Sequence, residues 1–119
     1  MNEERNAQGK NALDKLVLQA TNPLQPGPST LLPLILKQLK AGADASCTVN
    51  YMVDLWEWYF EAAKQDSSAY RRAVENATAI IPMLKEGGAC ISPAALSSAR
   101  YNCAPAIQEL LLTLPIKET

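Results

Sequence analysis

Two segments of the chain end alike. Leu39-Lys40-Ala41-Gly42-Ala43-Asp44-Ala45-Ser46 and Leu84-Lys85-Glu86-Gly87-Gly88-Ala89-Cys90-Ile91 each follow aliphatic residues at helical spacing, and they lie 45 residues apart. Self-similarity at such a period points to repeated helix pairs, each burying its apolar face only against its neighbours. The likeness centres on the glycines because glycine takes the left-handed conformation that closes a helix and satisfies its last carbonyls. A chain of 119 residues holds about three such units around one core.

The first unit opens at Asn11, which caps a segment carrying Leu13, Leu16, Val17 and Ala20 on one side and Asp14 in the first turn; Asn22-Pro23 stops it. After the stiff turn Pro23-Leu24-Gln25-Pro26-Gly27-Pro28 comes a short helix with Leu31, Leu34, Ile35 and Leu39 on one face. Pro33 favours a start near Thr30 or Leu32. In the third unit Ser92-Pro93 sets a capping hydroxyl before a proline at the first helical position. Pro105 opens its partner helix, with Ile107, Leu110, Leu111 and Leu114 inward, and Pro115 ends it.

The middle unit is the longest. Helical projection of residues 52–65 gathers Met52, Val53, Leu55, Trp56, Tyr59, Phe60, Ala62 and Ala63 in one apolar arc, opposite Asp54, Glu57, Glu61, Lys64 and Gln65. Trp58 falls on the polar side or its boundary. The stretch Lys64-Gln65-Asp66-Ser67-Ser68 marks a turn. A second helical pattern then runs through Tyr70, Ala73, Val74, Ala77, Ile80, Ile81 and Leu84, which Pro82 kinks or narrows near its end. The expected architecture is all-α: a short solenoid of about three antiparallel helix pairs. Its expected limits are a flexible N-terminal tail over 1–10, one helical-repeat domain over 11–114 with units at about 11–46, 47–91 and 92–114, and a C-terminal tail over 115–119.

These residues resemble a divergent ankyrin-repeat protein. The family's capped Thr-Pro-Leu opening is similar to Asn11-Ala12-Leu13 and Ser92-Pro93-Ala94, and its Gly-Ala-Asp ending to Gly42-Ala43-Asp44 and, more weakly, to Gly87-Gly88-Ala89. Asp14 and Ala95 stand where the family has histidine, the middle unit lacks the opening, and the offset exceeds the usual period of about 33 residues. The resemblance implies ankyrin-like stacking, turns that project to one side, and protein binding without a cofactor.

Composition narrows the chemistry. There is no histidine, so Ser-His-Asp, Cys-His and histidine-metal sites are excluded. Gly87-Gly88 lacks the lysine and hydroxyl of a phosphate loop. Cys47, Cys90 and Cys103 are odd in number and far apart, which indicates buried thiols acting as small hydrophobes rather than a disulfide framework or a zinc site. A net charge of -1 without a basic stripe argues against nucleic acid. No stretch approaches the roughly 20 apolar residues of a membrane span, and the N-terminal residues lack a secretory core, so a cytoplasmic location is expected.

What remains is surface. Asp54, Glu57 and Glu61 share a helical face, either as a cluster for a divalent ion or acid-base work, or as the solvated side of an amphipathic helix. Trp58 at its edge either packs beneath the flanking turns or anchors an interface, a rigid aromatic ringed by charges that steer a basic partner. Arg71 and Arg72 form a second candidate contact zone or an ordinary surface pair. The expected function is a non-catalytic protein-protein interaction module, an adaptor or inhibitor, with no cofactor and no metal. The alternative is a homo-oligomer or assembly subunit joined through apolar ends near Leu16 or Leu111; a metal-assisted hydrolase is a distant third.

Overall fold

A computed structural model describes residues 10–65 and 67–117. Among them six helices form and no strand: α1 (Ala12–Thr21), α2 (Leu31–Lys40), α3 (Thr48–Ala63), α4 (Ser67–Glu86), α5 (Pro93–Asn102) and α6 (Pro105–Leu111). None of these helices is long and apolar enough to cross a membrane.

Helix starts follow local chemistry. Asn11 and Asp14 form a reciprocal capping box: the Asp14 amide donates to Asn11 Oδ1 at 2.8 Å and the Asn11 amide to Asp14 Oδ2 at 2.9 Å. Ser92 caps α5 by accepting the Ala95 amide at 3.1 Å, with Pro93 as the first helical residue, and Pro105 is likewise the first residue of α6, there without a side-chain cap. α2 begins at Leu31, so Pro33 stands within the first turn, where its missing amide breaks no helical bond.

The ends of α2 and α4 are equivalent, shifted by one residue from the sequence alignment. Gly42 and Gly88 carry the positive φ, 93° and 94°. In each case the next amide reaches back to close the terminus, Ala43 to the Gln38 carbonyl at 3.1 Å and Ala89 to the Leu84 carbonyl at 2.9 Å. Gly42 therefore matches Gly88. Gly87 serves differently: a Cβ there would stand 2.7 Å from Leu39 Cδ2, so its lack of a side chain lets α4 approach α2.

Each odd-numbered helix packs on the helix that follows it. α3 lies between α1 and α5, α4 lies between α2 and α6, and α4 also touches α1. One apolar cluster runs through all six helices, from Leu13, Val17 and Ile35 through Met52, Trp56, Ile80 and Leu84 to Ile107 and Leu111. Polar cross-links set the register of the odd helices. Thr48 Oγ1 donates to the buried Asp14 Oδ1 at 2.6 Å, Asn11 Nδ2 to the Asp44 carbonyl at 2.9 Å, and the Ser92 amide to Asn50 Oδ1 at 3.0 Å. Every buried side-chain nitrogen and oxygen among the described residues has a hydrogen-bond partner.

Several expectations shift. The buried stripe of α3 is narrower than the projected arc: Thr48, Val49, Met52, Val53, Trp56 and Ala63 are buried, whereas Leu55 and Phe60 are half-buried and Tyr59 and Ala62 are exposed. A helix touching neighbours on two sides and its partner below still leaves its top in water. α4 continues through Pro82 to Glu86, and Pro82 itself is exposed. α6 stops at Leu111, short of the expected Leu114, although Leu114 is buried. Leu111 is wholly buried and Leu16 half-buried, so the apolar surface at the last helix is Leu112 instead. Residues 115–117, expected to trail, are held: the Ile91 amide donates to the Pro115 carbonyl at 3.0 Å and the Lys117 amide to the Ile91 carbonyl at 2.9 Å. Of the expected N-terminal tail, residues 1–9 lie outside the described residues, as does Asp66 of the expected turn.

Candidate functional site

The face of α3 turned toward α5 borders a groove of about 510 Å3. Cys47, Asn50, Tyr51, Asp54 and Glu57 line it from the α3 side, at the spacing of one helical face, and Ser92, Ala94, Ala95 and Ser98 line it from α5. Two hydrogen bonds span the groove and hold its walls. The Ser92 amide donates to Asn50 Oδ1 near one end, and Ser98 Oγ donates to Glu57 Oε1 at 2.8 Å nearer the other.

The groove is acidic with an aromatic wall. Asp54 is pushed above the ordinary carboxylate range chiefly by burial and then by the neighbouring Glu57 carboxylate, while the Lys10 ammonium pulls the other way. Lys10 comes from just before α1, and its Nζ sits 4.7 Å from the centroid of the Tyr51 ring. A cation of the chain itself thus stands against two residues of the groove wall.

Of the residues singled out from the sequence, the fold brings Asp54 and Glu57 together in the groove, with Glu61 and Trp58 continuing along the exposed side of α3. Trp58 is 83% exposed, which removes the alternative that it packs beneath the turns. Glu61 pairs with Lys64 at 3.3 Å, an exposed contact of small energetic weight. Arg71 and Arg72 are exposed on α4, apart from the groove lining. Tyr101, 72% exposed on α5, lies one turn beyond Ser98, much as Glu61 lies one turn beyond Glu57.

Tyr51, Asn50, Ser98 and Lys10 escaped the sequence reading. For Tyr51 the sequence carries a signal, since it precedes Asp54 by three residues and Trp58 by seven on the same helical face. Ser98 had no such signal, because its place depends on how α5 settles against α3. Cys90 and Cys103 are buried thiols, with burial pushing Cys103 up to about 12, and Cys47 is half-buried at the groove. Among the described residues, no three histidine, cysteine, aspartate or glutamate side chains gather as a metal site. Comparison with family models, curated proteins and solved structures finds no match to this chain.

Proposed function

We propose that the chain is a non-catalytic protein-interaction module, adaptor- or inhibitor-like, whose helix pairs stack as a short ankyrin-like solenoid. The stacking reading is supported by the matched closures at Gly42 and Gly88 and by the order in which α1, α3 and α5 adjoin. It is further supported by the recurring polar links between successive helix starts, Asp14 to Thr48 and Asn50 to Ser92. Units this short gain a dry interior only from one another, which leaves the outward side of α3 free to vary.

The observation that carries the functional reading is Trp58. A tryptophan left 83% exposed forgoes the burial that Trp56, two residues earlier, obtains in full. Beside it stand Asp54, Glu57 and Glu61, and Tyr59 and Tyr101 add partly exposed aromatic surface. A rigid aromatic within a charged rim is the usual composition of a binding hot spot. Arg71 and Arg72 are retained as a separate, secondary contact zone on α4.

The double variant Trp58→Ala, Glu57→Lys is expected to keep its helical circular dichroism and lose capture of the partner that the unaltered chain retains from native cells. Undiminished capture removes this surface from consideration. Self-association through the last helix would have to use the exposed Leu112 rather than the buried Leu111; light scattering that reports one mass at all concentrations argues against it.

A further inference from the structure

We infer that the α3–α5 groove is a receptor for a lysine or arginine side chain presented by a basic segment of the partner, and that Lys10 of the chain itself occupies the rim of that receptor until the partner displaces it. This deepens the interaction reading and rests on it.

Shape and charge both favour this occupant. Tyr51 offers a ring face on which an ammonium already rests, with Lys10 Nζ at 4.7 Å from its centroid. Asp54 follows one turn along α3 and also feels the Lys10 charge. Glu57 closes the far end of the same wall; its bond from Ser98 holds it in place and leaves acceptor capacity on the carboxylate. A volume of about 510 Å3 accommodates a long alkyl side chain with residues on either side of it. Phosphates and acidic peptides are repelled by the same carboxylates, whereas a basic segment gains attraction before contact.

Lys10 makes the inference specific. Lys10 and Tyr51 are half-buried, and their cation–π contact contributes at least about 0.5–1 kcal/mol, so a competing cation that must first displace Lys10 binds at least about two- to five-fold more weakly than it would to an open groove. Removing Lys10 therefore strengthens binding, which is the opposite of what a merely structural lysine would do.

The probes are an oligolysine peptide, an oligoarginine peptide and an oligoglutamate control, titrated into the full chain while amide chemical shifts are followed. Shifts are expected to concentrate on residues 47–57 and 92–98 with either basic peptide, to be absent with oligoglutamate, and to weaken with salt. Lys10→Ala is expected to tighten binding by at least about two- to five-fold and Asp54→Asn to weaken it. Asparagine removes a carboxylate that burial and Glu57 already disfavour, so the fold tolerates it. Lys85→Ala, the same charge change on α4, is expected to have no comparable effect. Shifts spread evenly over Glu75, Glu86 and Glu109, or Lys10→Ala and Lys85→Ala acting alike, overturn the inference. If capture depends on Trp58 while oligolysine ignores the groove, the interaction reading stands and this inference falls. If oligolysine fills the groove while the Trp58 variant still captures its partner, the groove stands and the Trp58 surface falls.

Discussion

The two tryptophans of α3 offer a direct test of how this helix is divided between core and surface. Trp56 is wholly buried where α1, α3 and α4 meet. Its Nε1 donates to the Thr21 carbonyl of α1 at 2.8 Å, and its ring packs 5.9 Å from Tyr70 of α4 and 6.2 Å from Phe60. Trp56→Ala opens a cavity at this junction and bares the Thr21 carbonyl, for an expected loss of about 3–5 kcal/mol. Against a total stability of about 5–15 kcal/mol, that is a large share. Trp56→Phe keeps a ring but removes the donor; the bare carbonyl alone costs about 1–3 kcal/mol, and the smaller ring adds a cavity penalty. Trp58→Ala and Trp58→Phe, which remove little buried surface, are expected within about 0.5 kcal/mol of the unaltered chain.

Urea unfolding followed by circular dichroism measures these differences, with unchanged m-values showing that the unfolded state is not what moved. Fluorescence supplies a second reading. In Trp58→Phe the surviving Trp56 is expected to emit at short wavelength and resist iodide, and in Trp56→Phe the surviving Trp58 to emit at long wavelength and quench readily. Equal destabilisation by the two alanine variants, or the reverse pattern of quenching, would refute the division of α3 on which both the fold and the proposed interface depend.

Two further outcomes follow from buried polar groups. Asn76 of α4 donates from its amide nitrogen to the Ala20 carbonyl at 2.8 Å and the Gly27 carbonyl at 3.1 Å, tying the connection after α1 to the core. Asn76→Ala is expected to cost about 2–4 kcal/mol in thermal or urea unfolding, and Asn76→Asp more, because it turns acceptor oxygens toward two carbonyls; an aspartate variant as stable as the alanine one contradicts this account. Cys103, pushed by burial from 9.0 up to about 12, holds its proton more tightly folded than unfolded, so stability is complete below about pH 9 and is lost as pH rises toward 12. Cys103→Ala is expected to flatten that alkaline slope in pH-dependent unfolding, and a slope unaltered by the substitution places its origin elsewhere.

Helix boundaries were legible in the sequence because they are written in residues with a single strong local preference. Asn11 with Asp14, Ser92 with Pro93, and Pro105 each mark a start that the structure keeps. The paired glycines marked the two closures, although likeness of neighbouring letters aligned Gly42 with Gly87; only φ shows that Gly88 bears the left-handed turn. Pro82 is expected to kink or narrow the helix near its end because an interior proline removes one helical hydrogen bond. α4 runs on over Ile80, Ile81 and Leu84, all wholly buried, as their spacing predicts, and this packing outweighs the missing bond.

The candidate site was legible only where it lies on one helix. Asp54, Glu57 and Glu61 announce themselves by spacing, but the groove needs Ser92 and Ser98, which meet Asn50 and Glu57 across 42 and 41 residues of chain. Those meetings are set by α5 settling beside α3, and side-chain periodicity carries no information about such a lateral register. The same lateral packing explains why a binding surface can arise here at little structural cost. Neighbours on two sides and a partner helix beneath dry Met52, Val53 and Trp56, and so leave Asp54, Glu57, Trp58 and Glu61 in an uninterrupted row. Substitutions at Asp54, Trp58 and Glu61 change what the chain attracts without touching the core, whereas Glu57 also holds Ser98 across the groove, so binding and stability are expected to vary independently along α3 except at Glu57.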